Sequence, residues 1–305
     1  MKPLVIYHAN CADGFGAAFA AWIKLGEEAE YLPMAYGDFA FTEADLIGRE
    51  VYILDFSLPK DRMDKLFAIA KRVVWLDHHK TAFEMWCGKY ERGMQYDECP
   101  SYEYEASGYD TRYIELDDNR SGALIAWEYF HSEKEVPMLI KHIDDYDRWQ
   151  FKLEGTKEFN KALWSYAPWS FEQWEEFVND PYGFDILYGE GSAILRAHET
   201  NVKAVVDGAT RECILSVGPL LPHMYVGFAA NCPPHLASDV GHQLAKQSGT
   251  YGLLWYIDKD NKCKCSLRSN GDYDVSAIAK SFGGGGHKNA AGFEVPVETL
   301  LGWIK

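Results

Sequence analysis

Along the first 150 residues, uninterrupted apolar runs alternate with stretches whose apolar residues recur every three or four positions. The runs Leu4-Val5-Ile6-Tyr7, Val51-Tyr52-Ile53-Leu54 and Val73-Val74-Trp75-Leu76 show no polar face, the pattern of strands covered on both sides. Between them, residues 14–25 place Phe15, Phe19, Trp22 and Ile23 at helical spacing, and residues 61–71 do the same with Met63, Leu66, Phe67 and Ala70. Strand, crossover helix and strand, repeated in this way, predict a mainly parallel sheet flanked by helices. A further helix is predicted from about Ser121 through Phe130. Residues 84–112, rich in Tyr, Glu, Gly and Asp, show no period and read as an irregular insertion.

The rhythm then changes. Trp149, Trp164, Trp169 and Trp174 mark an aromatic segment, 149–190, that predicts short helices packed over the first domain. Tryptophan at helical spacing is more often core than a stacking platform for bases. Residues 191–210 predict a connecting helix. Short strands at 211–217, 223–229, 252–258 and 262–269, broken by helices near 236–247 and 274–281, predict a smaller α/β domain over 211–305, after a first domain over 1–190.

Each early strand run ends in chemistry. His8 follows the first, with Asp13 close behind; Asp55 follows the second; Asp77-His78-His79 closes the third. One polar strand end is commonly a turn residue or cap. Three acid or imidazole endings, at the strand ends where α/β sheets bind ligands, suit Mn²⁺, Fe²⁺ or Zn²⁺ better than the all-oxygen preference of Ca²⁺. Gly14 and the small residues after it let backbone N–H groups at a helix start approach a phosphate. Farther on, His142 to Trp149 holds Asp144, Asp145 and Asp147, and Asp145 is the expected supplier of one more carboxylate.

Gly283 to Gly286 run directly into His287, Ala290, Ala291 and a strand-like stretch. Four ordered glycines are entropically costly, and a plain linker would not lead at once into such a segment. The loop can set backbone amides against an anion, with His287 adding a donor. Arg268, near the end of a strand-like run, offers a guanidinium able to grip phosphate through two bonds.

Composition narrows the partners. The chain has 305 residues and a net charge of −16, which disfavours tracking long polyanions through clustered Lys and Arg but suits a small anion held by metal ions. No apolar stretch reaches membrane-helix length, and Met1-Lys2-Pro3 runs straight into a strand, so a cytoplasmic protein is expected. The seven cysteines lack zinc-ribbon spacing and read as reduced thiols.

Together the triplet Asp77-His78-His79, Asp55-Phe56-Ser57, and Gly284-Gly285-Gly286-His287 followed by Ala290-Ala291-Gly292-Phe293 resemble the DHH phosphoesterase superfamily, in the branch with a DHHA1 second domain. The resemblance implies a DHH domain and a DHHA1 domain across a cleft. It also implies two divalent ions, usually manganese, bridged by Asp55, with His8 on the first, Asp13 and His78 on the second, and Asp145 completing the set. Asp77 would orient a histidine from behind, and His79 would face the scissile phosphate. Arg268, Ser269, Gly284, Gly285, Gly286 and His287 occupy the positions that hold the far end of the substrate. Many relatives carry two aspartates in the first motif, whereas this chain reads Cys11-Ala12-Asp13-Gly14. That leaves the first ion to water, to Asn10, or to the thiolate and a softer metal.

The activity implied is hydrolysis of dinucleotides or short single-stranded oligonucleotides to mononucleotides, with no role for long duplexes or membranes. Rival readings are a 3′,5′-bisphosphate nucleotide phosphatase, a cyclic dinucleotide phosphodiesterase, and an inactive nucleotide-binding protein. A homodimer is left open.

Overall fold

The fully apolar runs become the centre of a sheet because both of its faces are covered. In the computed structural model, which describes residues 1–35, 37, 41–98, 112–217 and 223–305, the chain opens with β1 (Leu4–His8), α1 (Ala12–Leu25), β2 (Glu30–Met34), β3 (Glu50–Leu54), α2 (Lys60–Ile69) and β4 (Arg72–Asp77). Next come α3 (Lys80–Cys87), β5 (Gln95–Glu98), β6 (Arg112–Asp117), α4 (Gly122–His131), α5 (Met138–Asp147), α6 (Thr156–Ser165), α7 (Phe171–Asn179) and α8 (Gly183–Ala209). The sheet order is β2-β1-β3-β4-β6-β5, parallel except for β5 at the edge.

Successive strand residues point to opposite faces, so each strand serves two cores. Val5, Tyr7, Tyr52, Leu54, Val74 and Leu76 pack with α1 and α4. Leu4, Ile6, Val51, Ile53, Val73 and Trp75 pack with Met63 and Leu66 of α2 and with Ala82 and Phe83 of α3. The aromatic segment joins the first of these cores: Trp174 is fully buried, with its ring 4.7 Å from Phe15 and 5.8 Å from Phe19.

Two segments read from the sequence take a different form. Residues 84–112 are not wholly irregular, since they hold the end of α3, the edge strand β5 and the first residue of β6; residues 99–111 lie outside the described set. The polar composition of Gln95-Tyr96-Asp97-Glu98 hides a strand that pairs on one side only. The connecting helix, α8, starts at Gly183 rather than 191.

The chain divides into two compact units, Met1–Ile194 and Leu195–Lys305. The second contains β7 (Arg211–Val217), β8 (His223–Asn231), α9 (Ala237–Ser248), β9 (Tyr251–Ile257), β10 (Cys263–Ser269), α10 (Val275–Ser281), β11 (Gly285–His287), β12 (Ala290–Val295) and α11 (Val297–Leu301). Its sheet runs β11-β12-β10-β9-β8-β7 and is antiparallel except for β8 and β9, whose parallel pairing requires α9 as a crossover. Val240 and Leu244 of α9 pack with Leu254 on one face, while Leu253, Leu267 and Ile278 pack on the other. Among the described residues, no helix is long and apolar enough to cross a membrane.

Candidate metal centre

The chain leaves β1 to form β2 on one side and returns to form β3 on the other, so β1 and β3 flank the point where strand order reverses. Diverging connections open a crevice at the carboxyl ends there. His8 ends β1, and Asp55 follows β3 with a left-handed backbone, φ 51°. An aspartate in that region costs energy that surrounding contacts must offset, and such residues concentrate at functional sites.

Around Asp55, His78 Nε2 stands 3.1 Å from Oδ1 and His8 Nδ1 stands 3.6 Å from Oδ2. The same His78 nitrogen lies 3.3 Å from Asp13 Oδ2 and 3.6 Å from Asp147 Oδ2. Three sets of side chains converge with ligand atoms within 4.8 Å of one another: His8, Cys11 and Asp55; Asp55, His78 and His79; and Asp13, His78 and Asp147. Asp55 and His78 each belong to two sets, which makes the cluster continuous. The Asp147 side chain is 30% exposed and opens the centre to solvent.

Two glycines create the space. Asp13 accepts hydrogen bonds from the N–H groups of Gly122 (2.7 Å) and Ala123 (2.9 Å), fastening the start of α1 to the start of α4. This brings Gly122 so near that a Cβ there would lie 2.5 Å from Asp55 Cβ and 2.8 Å from Oδ1. Gly14 likewise lets α1 pass the His8 carbonyl, where a Cβ would come within 2.2 Å of the oxygen. Neither neighbour is visible in the sequence.

Asp77 lies behind the cluster, fully buried. Its Oδ1 accepts from the backbone of His78 (2.8 Å) and His79 (3.1 Å) and from His79 Nδ1 (2.7 Å), while Ser57 Oγ donates to Oδ2. These bonds fix the His79 ring, whose centroid is 5.9 Å from that of His8. Ser57 went unrecognised as a support because its partner is 20 residues away.

Asp145 is not where the sequence reading put it. Its carboxylate accepts from the backbone N–H of Lys152 (2.8 Å) and Leu153 (3.1 Å) and from Thr156 Oγ1 (2.6 Å), holding the turn from α5 into α6. Asp144 is also committed, accepting from the Ser121 N–H at 2.7 Å. Asp147 is the residue of this run that reaches His78. The reason is helical phase: Ile140 and Ile143 face Gly16 of α1, and Asp147 lies seven and four residues after them on the same face. Asp145 shares the other face with His142.

Burial, and then the crowding of acids and imidazoles, explains the electrostatics. Burial, then the charges of Asp55 and Asp147, pushes the Asp13 carboxyl well above its usual range. Burial acts against ionised Asp55 too, but the imidazoles of His78, His8 and His79 hold it below the ordinary value. Burial disfavours the charged imidazoles, yet Asp77 lifts His79 to about 9, and Asp55, Asp147 and Asp13 together lift His78 well above normal. Burial, followed by Asp55, Asp147 and Asp13, pushes the Cys11 thiol up as well.

One observation tests whether cations suit the cluster. Asp55 is 1% exposed, and neither carboxylate oxygen meets hydrogen-bond geometry with any donor, although a buried carboxylate normally finds one. Both oxygens sit among imidazole, carboxylate and thiol groups, a donor set that suits a transition-metal dication.

In the C-terminal unit, Arg268 is partly buried; its Nη2 donates to Ser238 Oγ at 3.2 Å, and burial lowers its pKa. Cross-strand register places Arg268 and His287 on either side of Ala290. Ser269 departs from the expected ligand-facing role: it is fully buried, and its hydroxyl donates to the Tyr273 carbonyl at 2.6 Å. Gly284 departs as well, because its N–H is used by the Ala279 carbonyl (2.9 Å) and a Cβ would lie 2.1 Å from the Gly292 carbonyl oxygen. Gly286, at φ 141°, pairs with Ala291, so the glycine run is largely the first arm of a hairpin. Gly285, like Gly283, has no described atom within 4 Å of its Cβ position, and unlike Gly283 it does not have a left-handed backbone.

A donor cluster at the switch point of a doubly covered parallel sheet, followed by a largely antiparallel unit with a GGGH hairpin, is the two-unit α/β architecture expected from the motifs. Residues 233–302 match the DHHA1 domain, and the resemblance read from the motifs holds. The chain aligns over 95% of its length with the solved DHH domain of a member of the s1p family of ribosomal proteins, covering 82% of that chain at 14% identity and a TM-score of 0.55. An uncharacterized protein of Acanthamoeba polyphaga mimivirus is 29% identical over 95% of this chain, which spans 66% of that relative, just under two thirds of its length. The oligoribonuclease NrnB of Bacillus subtilis is 22% identical over 96% of this chain and 73% of its own.

Proposed function

We propose that the chain is a phosphoesterase dependent on two divalent cations, with manganese the leading choice, that hydrolyses dinucleotides or short single-stranded oligonucleotides to mononucleotides. The observation that carries the reading is Asp55: buried, with neither oxygen in a hydrogen bond of good geometry although imidazoles crowd both, and shared between donor sets that meet at the sheet's switch point. His8 and Asp55 would hold one cation; Asp55, Asp13, His78 and Asp147 would hold the other. Bound cations would neutralise the phosphate and acidify water at neutral pH. Asp77 and Ser57 set the His79 ring, and Asp77 favours its charged form, so its free nitrogen would donate to a phosphate oxygen. The short-oligonucleotide substrate is supported by the relation to an oligoribonuclease and by the net charge of −16, which weakens contacts along a polymer.

The test is a panel of linear dinucleotides, cyclic dinucleotides, 3′,5′-bisphosphates, and short and long oligomers incubated with Mn²⁺ and resolved by chromatography. Linear dinucleotides and short oligomers are expected to be consumed, with EDTA stopping the reaction. Lack of product from every substrate with every cation tried would sink the proposal, and turnover of bisphosphates or cyclic dinucleotides alone would move it to those rival chemistries.

Recognition of the substrate's far end is assigned to Arg268, Gly285 and His287. At Gly285 a methyl group has room, so Gly285→Ala is expected to leave the melting temperature and kcat unchanged. If substrate approaches that backbone closely, KM should rise by about tenfold, roughly 1.4 kcal/mol. An unchanged KM would remove Gly285 from the binding surface.

A further inference from the structure

We propose that the Cys11 thiolate is a direct ligand of the first cation, making that half of the centre a mixed sulfur, nitrogen and oxygen site. This rests on the reading of the cluster as a cation centre. Cys11 is the residue just before α1, extended at φ −134° and ψ 134°, and its side chain makes no capping hydrogen bond to that helix. It is a free thiol, half-buried, whereas the neighbouring Asn10 is exposed on the turn. Its sulfur, a ring nitrogen of His8 and a carboxylate oxygen of Asp55 lie within 4.8 Å of one another. Donors about 2.0 to 2.3 Å from a shared ion are necessarily no more than about 4.6 Å apart, so a small inward adjustment closes the set. The oxygens of Asp55, 1% exposed and neither in a hydrogen bond of good geometry, supply the independent sign that an ion belongs there.

Binding would exchange the S–H proton for the metal–sulfur bond and release that proton to solvent. A sulfur donor moves preference away from Mg²⁺ and Mn²⁺ toward Zn²⁺, Co²⁺ and Fe²⁺. The two halves of the centre would thus differ in softness, the second being built from Asp55, Asp13, His78 and Asp147 without sulfur.

Co²⁺ titration of the full chain, followed by absorbance, tests this. Thiolate-to-cobalt charge transfer is expected in the near ultraviolet and should be lost in Cys11→Ser and Cys11→Asp. Iodoacetamide labelling mapped by mass spectrometry should show Cys11 protected by Co²⁺ or Zn²⁺ and re-exposed by EDTA. Cys11→Asp, which restores a carboxylate, should still bind cations and shift the ratio of Zn²⁺ to Mn²⁺ affinity by at least about tenfold toward manganese. Cobalt binding without charge transfer, or charge transfer that survives in Cys11→Ser, overturns this proposal alone. Complete absence of cobalt binding overturns it together with the cation reading of the centre.

Discussion

Asp147→Asn is expected to abolish turnover while the protein stays folded, whereas Asp145→Ala, two residues away, should weaken the fold first. Asp147 reaches within 3.6 Å of His78 and is partly exposed, so asparagine removes a charge from the centre without opening a cavity. Changes to groups that only support metal ligands cost about 10 to 100-fold. Loss of a ligand should exceed that range, with reduced affinity for the second cation measurable by calorimetry. Asp145 accepts three hydrogen bonds that hold the turn after α5. Its removal should cost about 2 to 3 kcal/mol in denaturant unfolding, the scale for bonds to a charged acceptor. If Asp145→Ala instead kept full stability and lost cation binding, the assignment of the two residues would be reversed.

Gly122→Ala should produce the second large loss. The added methyl would stand 2.5 Å from Asp55 Cβ, closer than carbon atoms tolerate, and Gly122 cannot retreat without breaking its 2.7 Å bond to Asp13. Overpacking of this kind costs about 1 to 3 kcal/mol. Displacement of Asp55 by even an ångström can cost about 100-fold in rate. Both a lower melting temperature and a collapse of kcat are expected, and retention of wild-type kcat would show that Asp55 tolerates movement.

How much of this was legible in the sequence depended on distance along the chain. β1, β3 and β4 announced themselves because strands buried on both faces are apolar throughout, and His8, Asp55 and Asp77-His78-His79 were conspicuous as the ends of those runs. β2 and β6 went unmarked: Pro33 interrupts one, and Arg112 and Glu115 break up the other. Choosing among three aspartates in α5 required the phase of Ile140 and Ile143 against α1, a signal that was present but unused. Ser57 behind Asp77 and Gly122 beside Asp55 could not be found by pattern, since each acquires meaning only from a partner brought close by folding.

The left-handed backbone at Asp55 places two filters on one codon. Folding alone favours glycine or asparagine there, since they enter that conformation at least cost, and works against branched side chains. Catalysis as proposed requires an anionic oxygen pair on a short stem, which glycine lacks and glutamate would extend too far. Aspartate satisfies both filters at once, so evolutionary drift at position 55 has almost nowhere to go.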